Sequence, residues 1–529
     1  MKILLYKASQ VVSAVLRFIV HYVLALRYCG KGKHVSAVNN PLLLKSATQL
    51  VQEIREGKVK SADVVKAYIL RIIQVDRHIN ATAERCFEEA LNRAMEVDFM
   101  IASRRFPPDQ LATEMPLLGV PISVNVLIRV KGCFSTGASK LFDYVIAKKD
   151  ATSVALLKKA GAIVLVTTNA PEMGLNFETR SKLYGKCCNP YDTSKTSGGS
   201  SGGEGALISA GGSILGLGDD LSGGLRIPAH FTGIFAHKPT IGLAPNEGVL
   251  PPFRLNPSDP YVPQIQKYMS TGPMCRYAED LVTSMKVLSI PGEVRMKFGQ
   301  QVDFRRLKVY YMMHIQSPFV ATVEEEIKTA LRNAASHFEH KYNVIPQEVT
   351  MPSLFHANRC VFNRLLVALD DLKDTLTCGK GLQFDEKRDI IKGFFGKSTL
   401  SFMTLLIMNC AYLPMWWKEF LKPYFEELAN EWAMEFGTIL DEDTVLLMPT
   451  LPSYAPYHSG MFVLAPGTCY TSIFNILGLP VTQCPLGFNR HGLPHGIQIV
   501  SCKNNDPLTI ACAVELEKAF GGWKSPGLL

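Results

Sequence analysis

The sequence predicts an α/β body with a mixed sheet flanked by helices, and two observations carry that prediction. From Leu117 onward, short apolar runs alternate with stretches of helical pattern, the arrangement of a sheet covered by helices. With 529 residues, 47% of them hydrophobic, the chain can also bury one large core or two fused ones. A third observation interrupts this alternation. Lys195 to Thr240 is crowded with glycine and serine, too regularly spaced for a linker and too Gly-rich for an ordinary helix or strand.

The elements follow in order. Residues 1–30 form a separate segment, apolar from Val11 to Leu26 except for Ser13, Arg17 and His21. Its length approaches a bilayer span, but a mid-run arginine is costly at the membrane centre. A spanning or monotopic anchor, a cleaved signal peptide and an amphipathic helix packed on the body all remain open. The flanking positive charges, Lys2 and Lys7 before and Arg27, Lys31 and Lys33 after, do not fix an orientation. Residues 31–529 make the body. Its first part, 42–115, reads as a helical collar: Ala47 to Glu56, Ser61 to Val75 with Ser61 as a cap, and Phe87 to Met100. Asn80-Ala81-Thr82 fits a glycosylation acceptor.

The core, 116–529, opens with a strand at Leu118–Val124, a helix at Thr152–Gly161 and a strand at Ile163–Val166. The Gly-rich block comes next. Gly198-Gly199-Ser200-Ser201-Gly202-Gly203 opens it, Ser222-Gly223-Gly224 closes it, and Ala206 to Leu217 is long enough for a buried helix and a turn. Glycine permits close backbone approach, and successive free N–H groups in such a turn make an anion or oxyanion cradle. The block reads as a ligand-facing loop, with a tightly packed core loop as the competing reading. Further on, residues 395–420 are rich in Phe, Met, Leu and Trp. They suit an acyl channel, one leaflet of a membrane or a buried hairpin. Val445–Pro449 reads as a core strand and Leu508–Phe520 as a closing helix.

The block resembles the signature region of the amidase-signature hydrolases. So do Gly119-Val120-Pro121, Thr168 to Glu172, Asn189-Pro190-Tyr191-Asp192, Thr271 to Asp280 and Gly478 to Gly487. The likeness covers nearly the whole chain and is strongest to the branch that cleaves fatty-acid amides. It implies the amidase-signature fold, no cofactor and an N-terminal membrane helix. It also implies a serine nucleophile, a cis-linked bridging serine and a lysine that accepts the relayed proton, while backbone N–H groups hold the oxyanion.

Ser200 matches the bridging position, but two of the three catalytic positions are changed. Asn125 stands where the lysine belongs, and an amide has no useful basic nitrogen. In Asp220-Leu221-Ser222-Gly223-Gly224-Leu225-Arg226, the nucleophile position falls on Gly224. Ser222 lies two residues early, in the oxyanion-like loop Leu221, Ser222, Gly223 and Gly224, and is only a weak alternative nucleophile, since chemical steps tolerate little misplacement. Lys131 precedes another turn and is not expected to substitute for the missing lysine.

These positions predict a catalytically degenerate relative that binds acyl amides or similar lipids. Two alternatives stand beside it: an active fatty-acid amide hydrolase using a relocated serine, and a non-catalytic regulator of an intact paralogue. Expected partners are a lipid or acyl-amide molecule and an endomembrane such as the endoplasmic reticulum or a lipid droplet. A homodimer or a pairing with a paralogue is also open. The formal charge of +9 has no dense basic block, which argues against nucleic acid. Twelve histidines lack metal-site spacing, and thirteen cysteines do not form a disulfide framework.

Overall fold

A computed structural model describes residues 2–250, 264–290, 297–362, 386–402, 404–406 and 415–528. In chain order the strands are β1 (Thr82–Arg85), β2 (Pro121–Asn125), β3 (Ile163–Thr168), β4 (Arg180–Ser181), β5 (Gly185–Lys186), β6 (Leu215–Asp220) and β7 (Phe235–Lys238). They continue with β8 (Ser270–Cys275), β9 (Lys308–Tyr311), β10 (Gln347–Glu348), β11 (Thr444–Pro449), β12 (Val481–Phe488) and β13 (Pro494–Val500). Among the described residues, eleven of them form one sheet in the order β1-β3-β2-β6-β8-β7-β12-β13-β11-β9-β10. Parallel pairs, β2 with β3 and β6, sit beside antiparallel ones such as β6 with β8. The sheet is therefore mixed. Every residue of β2, β3, β6, β8 and β11 is buried, as expected of central strands covered on both faces.

The first part of the body holds helices at Ala47–Arg55, Ser61–Ile79, Phe87–Ala102 and Pro108–Glu114. It also contributes β1, which pairs with β3 at the sheet edge, a strand that the helical pattern around it hides. Ser61 is not the cap of its helix. The N–H groups of Ser61 and Ala62 donate to Asp98 at 2.6 and 3.1 Å, and the Ser61 hydroxyl turns to the Gly119 carbonyl. Asp98, on the Phe87–Ala102 helix, thus does from outside what an N-cap side chain does. Asn80 takes left-handed φ at the helix end, and its Nδ2 donates to the carbonyls of Tyr184 and Lys186. The nitrogen that would carry a glycan is engaged inside the fold.

The Ala206–Leu217 run divides. A helix spans Gly202–Ser209, the chain turns at Gly211 (φ +78°), and β6 begins at Leu215. Gly211 and Gly212 end the helix and free the apolar remainder to enter the sheet.

The N-terminal helix runs from Lys2 to Tyr28, and Tyr6–Tyr28 is long and apolar enough to cross a membrane by length and composition. One stripe of it is docked on the body. Gln10 donates to the Val320 carbonyl, Ser13 to the Phe319 carbonyl, Leu24 is buried, and Tyr28 stacks on Tyr457. Much of the remaining surface is exposed and apolar, including Val11, Val15, Phe18, Tyr22 and Leu26. Of the apolar 395–420 stretch, Leu400 and Leu405 are buried and Phe395 and Phe402 exposed, while 403 and 407–414 lie outside the described residues.

Candidate active site

Three backbone segments converge. β2 ends at Asn125, β6 ends at Asp219-Asp220, and Ser200-Ser201 immediately precede the Gly202–Ser209 helix. The turn after β6 carries Ser222, Gly223 and Gly224 into the Arg226–Thr232 helix. Backbone bonds knit it in: the Ser201 N–H donates to the Gly224 carbonyl at 3.0 Å and the Ile227 N–H to the Gly223 carbonyl at 2.8 Å.

Asp220 organises the turn. Its carboxylate accepts the N–H groups of Gly223 (2.7 Å) and Leu225 (3.3 Å) and both arms of the Arg226 guanidinium (2.9 and 3.0 Å). Arg226 also donates to the Thr471 carbonyl, Gln498 and Asn475. Both side chains are fully buried. Burial opposes the charged carboxylate, but Arg226 outweighs it and holds Asp220 down to about 2. One N–H of the predicted oxyanion loop is therefore committed: Gly223 binds Asp220. Gly223 needs its freedom, for φ is +119° and a Cβ there would lie 2.5 Å from the Thr471 hydroxyl.

The structure places the other sequence-predicted residues as follows. The Gly199–Ser200 peptide is cis. Asn125 is buried, donates Nδ2 to the Ser201 hydroxyl at 3.1 Å, and accepts the Leu127 N–H at 2.9 Å. It meets Ser201 as a donor and takes no proton from it. Lys131 is exposed. The Ser222 hydroxyl pairs with that of Ser472, and Thr471 and Ser472 both donate to the Ser222 carbonyl.

Gly224 is packed closely. A Cβ on it would lie 2.4 Å from Ser200 Oγ and 2.5 Å from the Asp219 carbonyl oxygen. The Ser200 hydroxyl and the Asp219 carbonyl oxygen occupy the volume a side chain there would need.

Sequence reasoning left three buried ionisable groups without a role. Asp219 receives the Ser200 hydroxyl at 3.4 Å on Oδ2, while its Oδ1 is buried without a partner. Burial and then the Asp220 charge push it up to about 7. Glu204 accepts from the Ser123 and Thr168 hydroxyls, and burial pushes it up to about 8. Lys238 donates to the Pro239 carbonyl, and burial brings it down to about 7. The one available signal was an acidic pair inside an otherwise apolar and Gly-rich block. Glu172, at the end of the Thr168 to Glu172 motif, binds the Lys182 and Ser401 N–H groups and the Thr404 hydroxyl. No cluster of His, Cys, Asp and Glu among the described residues could hold a metal ion.

Known proteins give this geometry a context. The family model for amidases matches residues 63–510. Fatty-acid amide hydrolase 2-A of Danio rerio is 38% identical over 497 residues, covering 93% of this chain and 91% of its own. Fatty-acid amide hydrolase 2 of Homo sapiens is 38% identical over 498 residues, covering 93% and 92%. A bacterial aryl acylamidase structure superposes with a TM-score of 0.74 at 21% identity, covering 91% of this chain and 97% of that one. A fatty acid amide hydrolase structure superposes with a TM-score of 0.73 at 20% identity, covering 92% and 87%.

Proposed function

Because the chain belongs to the amidase family, we propose that it hydrolyses linear acyl amides, fatty-acid amides among them, through a serine displaced from the vacated position 224. The observation that carries this reading is the packing around Gly224. A serine hydroxyl, that of Ser200, occupies the space a nucleophile at 224 would fill, 2.4 Å from where its Cβ would stand. The turn beside it is held by the buried Asp220–Arg226 pair, and the remaining backbone N–H groups of such a turn are the kind that stabilise an oxyanion. The 38% identity to fatty-acid amide hydrolases over 93% of the chain supports the acyl-amide class.

A second reading has its own support. Asn125 supplies no base and Gly224 no nucleophile, so a protein that binds acyl amides without turnover would also have this site. The two readings separate on one experiment: the full chain is incubated with a panel of long-chain acyl amides and, in parallel, with a serine-directed fluorophosphonate probe. Release of carboxylic acid together with a serine adduct supports hydrolysis. Neither product nor adduct, with saturable binding of the same amides, overturns it in favour of binding alone.

The N-terminal helix supports a monotopic membrane contact. Its docked stripe of Gln10, Ser13, Leu24 and Tyr28 ties it to the body over nearly five turns. A helix held sideways in this way presents Val11, Val15, Phe18, Tyr22 and Leu26 to one leaflet.

A further inference from the structure

We propose that Ser200 and Asp219 form a serine–carboxylate pair, with Ser200 as the nucleophile and Asp219 as the group that takes and returns its proton. The inference rests on the hydrolytic reading above and names the residues that perform it.

The serines near the turn differ in what surrounds them. Ser201 is fully buried, and its hydroxyl already accepts from Asn125 and from the Asp219 N–H. Ser222 is paired with Ser472, another hydroxyl, which is no base at neutral pH. Ser200 retains 6% exposure and Ser222 8%, where Ser201 has none, and the Ser200 hydroxyl packs directly against Gly224, where a side chain at that position would stand. Its one side-chain hydrogen bond runs to Asp219 Oδ2 at 3.4 Å. That bond is long, as catalytic bonds often are before substrate is bound.

Asp219 is built as a proton acceptor and not as a structural ion. Its neighbour Asp220 has both oxygens committed to backbone N–H groups and to Arg226. Among the described residues Asp219 has no ion pair: Oδ1 is buried and unpartnered, and Oδ2 accepts from Ser200. A buried oxygen without a partner is costly and calls for an explanation. Proton exchange with the adjacent hydroxyl provides one. The charged groups around it are Asp220, which raises its affinity for a proton, and Arg226 and Lys238, which face Asp220. Glu204, on the helix that follows Ser200, hydrogen-bonds away to Ser123 and Thr168. Burial and Asp220 together put Asp219 near neutrality, where a general base is most effective.

The chemistry balances without any other reactant than water. Ser200 Oγ bonds to the amide carbon as its proton passes to Asp219 Oδ2. The carbonyl electron pair moves onto oxygen. When that pair returns, the C–N bond breaks and the proton on Asp219 leaves with the amine. Ser200 then carries the acyl group as an ester. Water attacks the ester carbon and gives a proton to Asp219. The bond to Ser200 Oγ breaks, the proton returns to Ser200, and the carboxylic acid departs. Amide and water have become acid and amine, with Ser200 and Asp219 restored.

The test is the site and pH dependence of fluorophosphonate labelling of the full chain, read by peptide mass. The pair predicts an adduct on Ser200 whose rate rises with pH and levels off above about 7, as Asp219 ionises. Asp219→Asn should slow labelling by about 100-fold or more and flatten the profile. An adduct on Ser222 or Ser201 overturns the pair and leaves the relocated-serine reading standing. An adduct on Ser200 with a flat profile in the natural chain overturns the role of Asp219, whether or not the variant folds. No adduct and no amide turnover overturn the pair and the hydrolytic reading together.

Discussion

Replacing Arg226 with methionine would remove the cation from a fully buried site. The guanidinium makes two bonds to Asp220 and one each to the Thr471 carbonyl, Gln498 and Asn475, and neither partner of the ion pair has any exposure. Methionine fills much of the volume, so the loss is mainly electrostatic. It strands the Asp220 carboxylate and leaves three acceptors short of a donor. Breaking a buried pair from one side costs about 3–5 kcal/mol, a large part of the ~5–15 kcal/mol by which domains are usually stable. Arg226→Lys keeps the charge but cannot bridge both carboxylate oxygens, so it should fall between the natural chain and methionine. Asp220→Leu combined with Arg226→Met should recover part of the loss, because no lone charge then remains. The assay is urea unfolding at neutral pH followed by circular dichroism. A cost below about 1 kcal/mol for Arg226→Met would refute the reasoning, since surface pairs are worth that little.

Three further outcomes are expected. Gly224→Ala puts a methyl against Ser200 Oγ and the Asp219 carbonyl; it should cost about 1–3 kcal/mol by overpacking, and urea midpoints will show whether it does. Glu204 is raised from 4.5 to about 8. Its contribution is therefore fully present below the unfolded value and is lost as pH rises through about 8. The urea midpoint should fall with rising pH over that interval and fall less in Glu204→Gln, whereas an unchanged slope would deny Glu204 the role. The full chain should float with phosphatidylcholine vesicles, and Val15→Asp/Phe18→Asp/Leu26→Asp should not, because those side chains are the exposed face of the helix. Equal flotation of both would contradict the monotopic contact.

Much of the fold was legible because its signals are local. The apolar runs at Leu118–Val124, Ile163–Val166 and Val445–Pro449 correspond to β2, β3 and β11, since a strand buried on both faces has few other ways to be written. Thr82–Arg85 was not legible. Its residues are only partly buried and carry charge, and pairing with β3 makes it a strand. Ser61 looked like a cap because serine commonly is one, yet Asp98 from a neighbouring helix reaches the same N–H groups. The site divides in the same way. The sequence register put glycine at 224 and asparagine at 125. It could not say that Asn125 meets Ser201, that Ser222 pairs with Ser472, or that Asp219 faces Ser200. Each of those pairs joins positions brought together only when β2, β6 and the Gly-rich block pack.

The central claim is that this site still cleaves amides, with Ser200 in place of the missing residue 224 side chain. It is tested most directly by measuring carboxylic acid released from long-chain acyl amides by the full chain and by Ser200→Ala. The account predicts release by the natural chain and its loss in the variant, with urea midpoints matched. Release that survives Ser200→Ala, or none from a natural chain that binds the same amides, would contradict it.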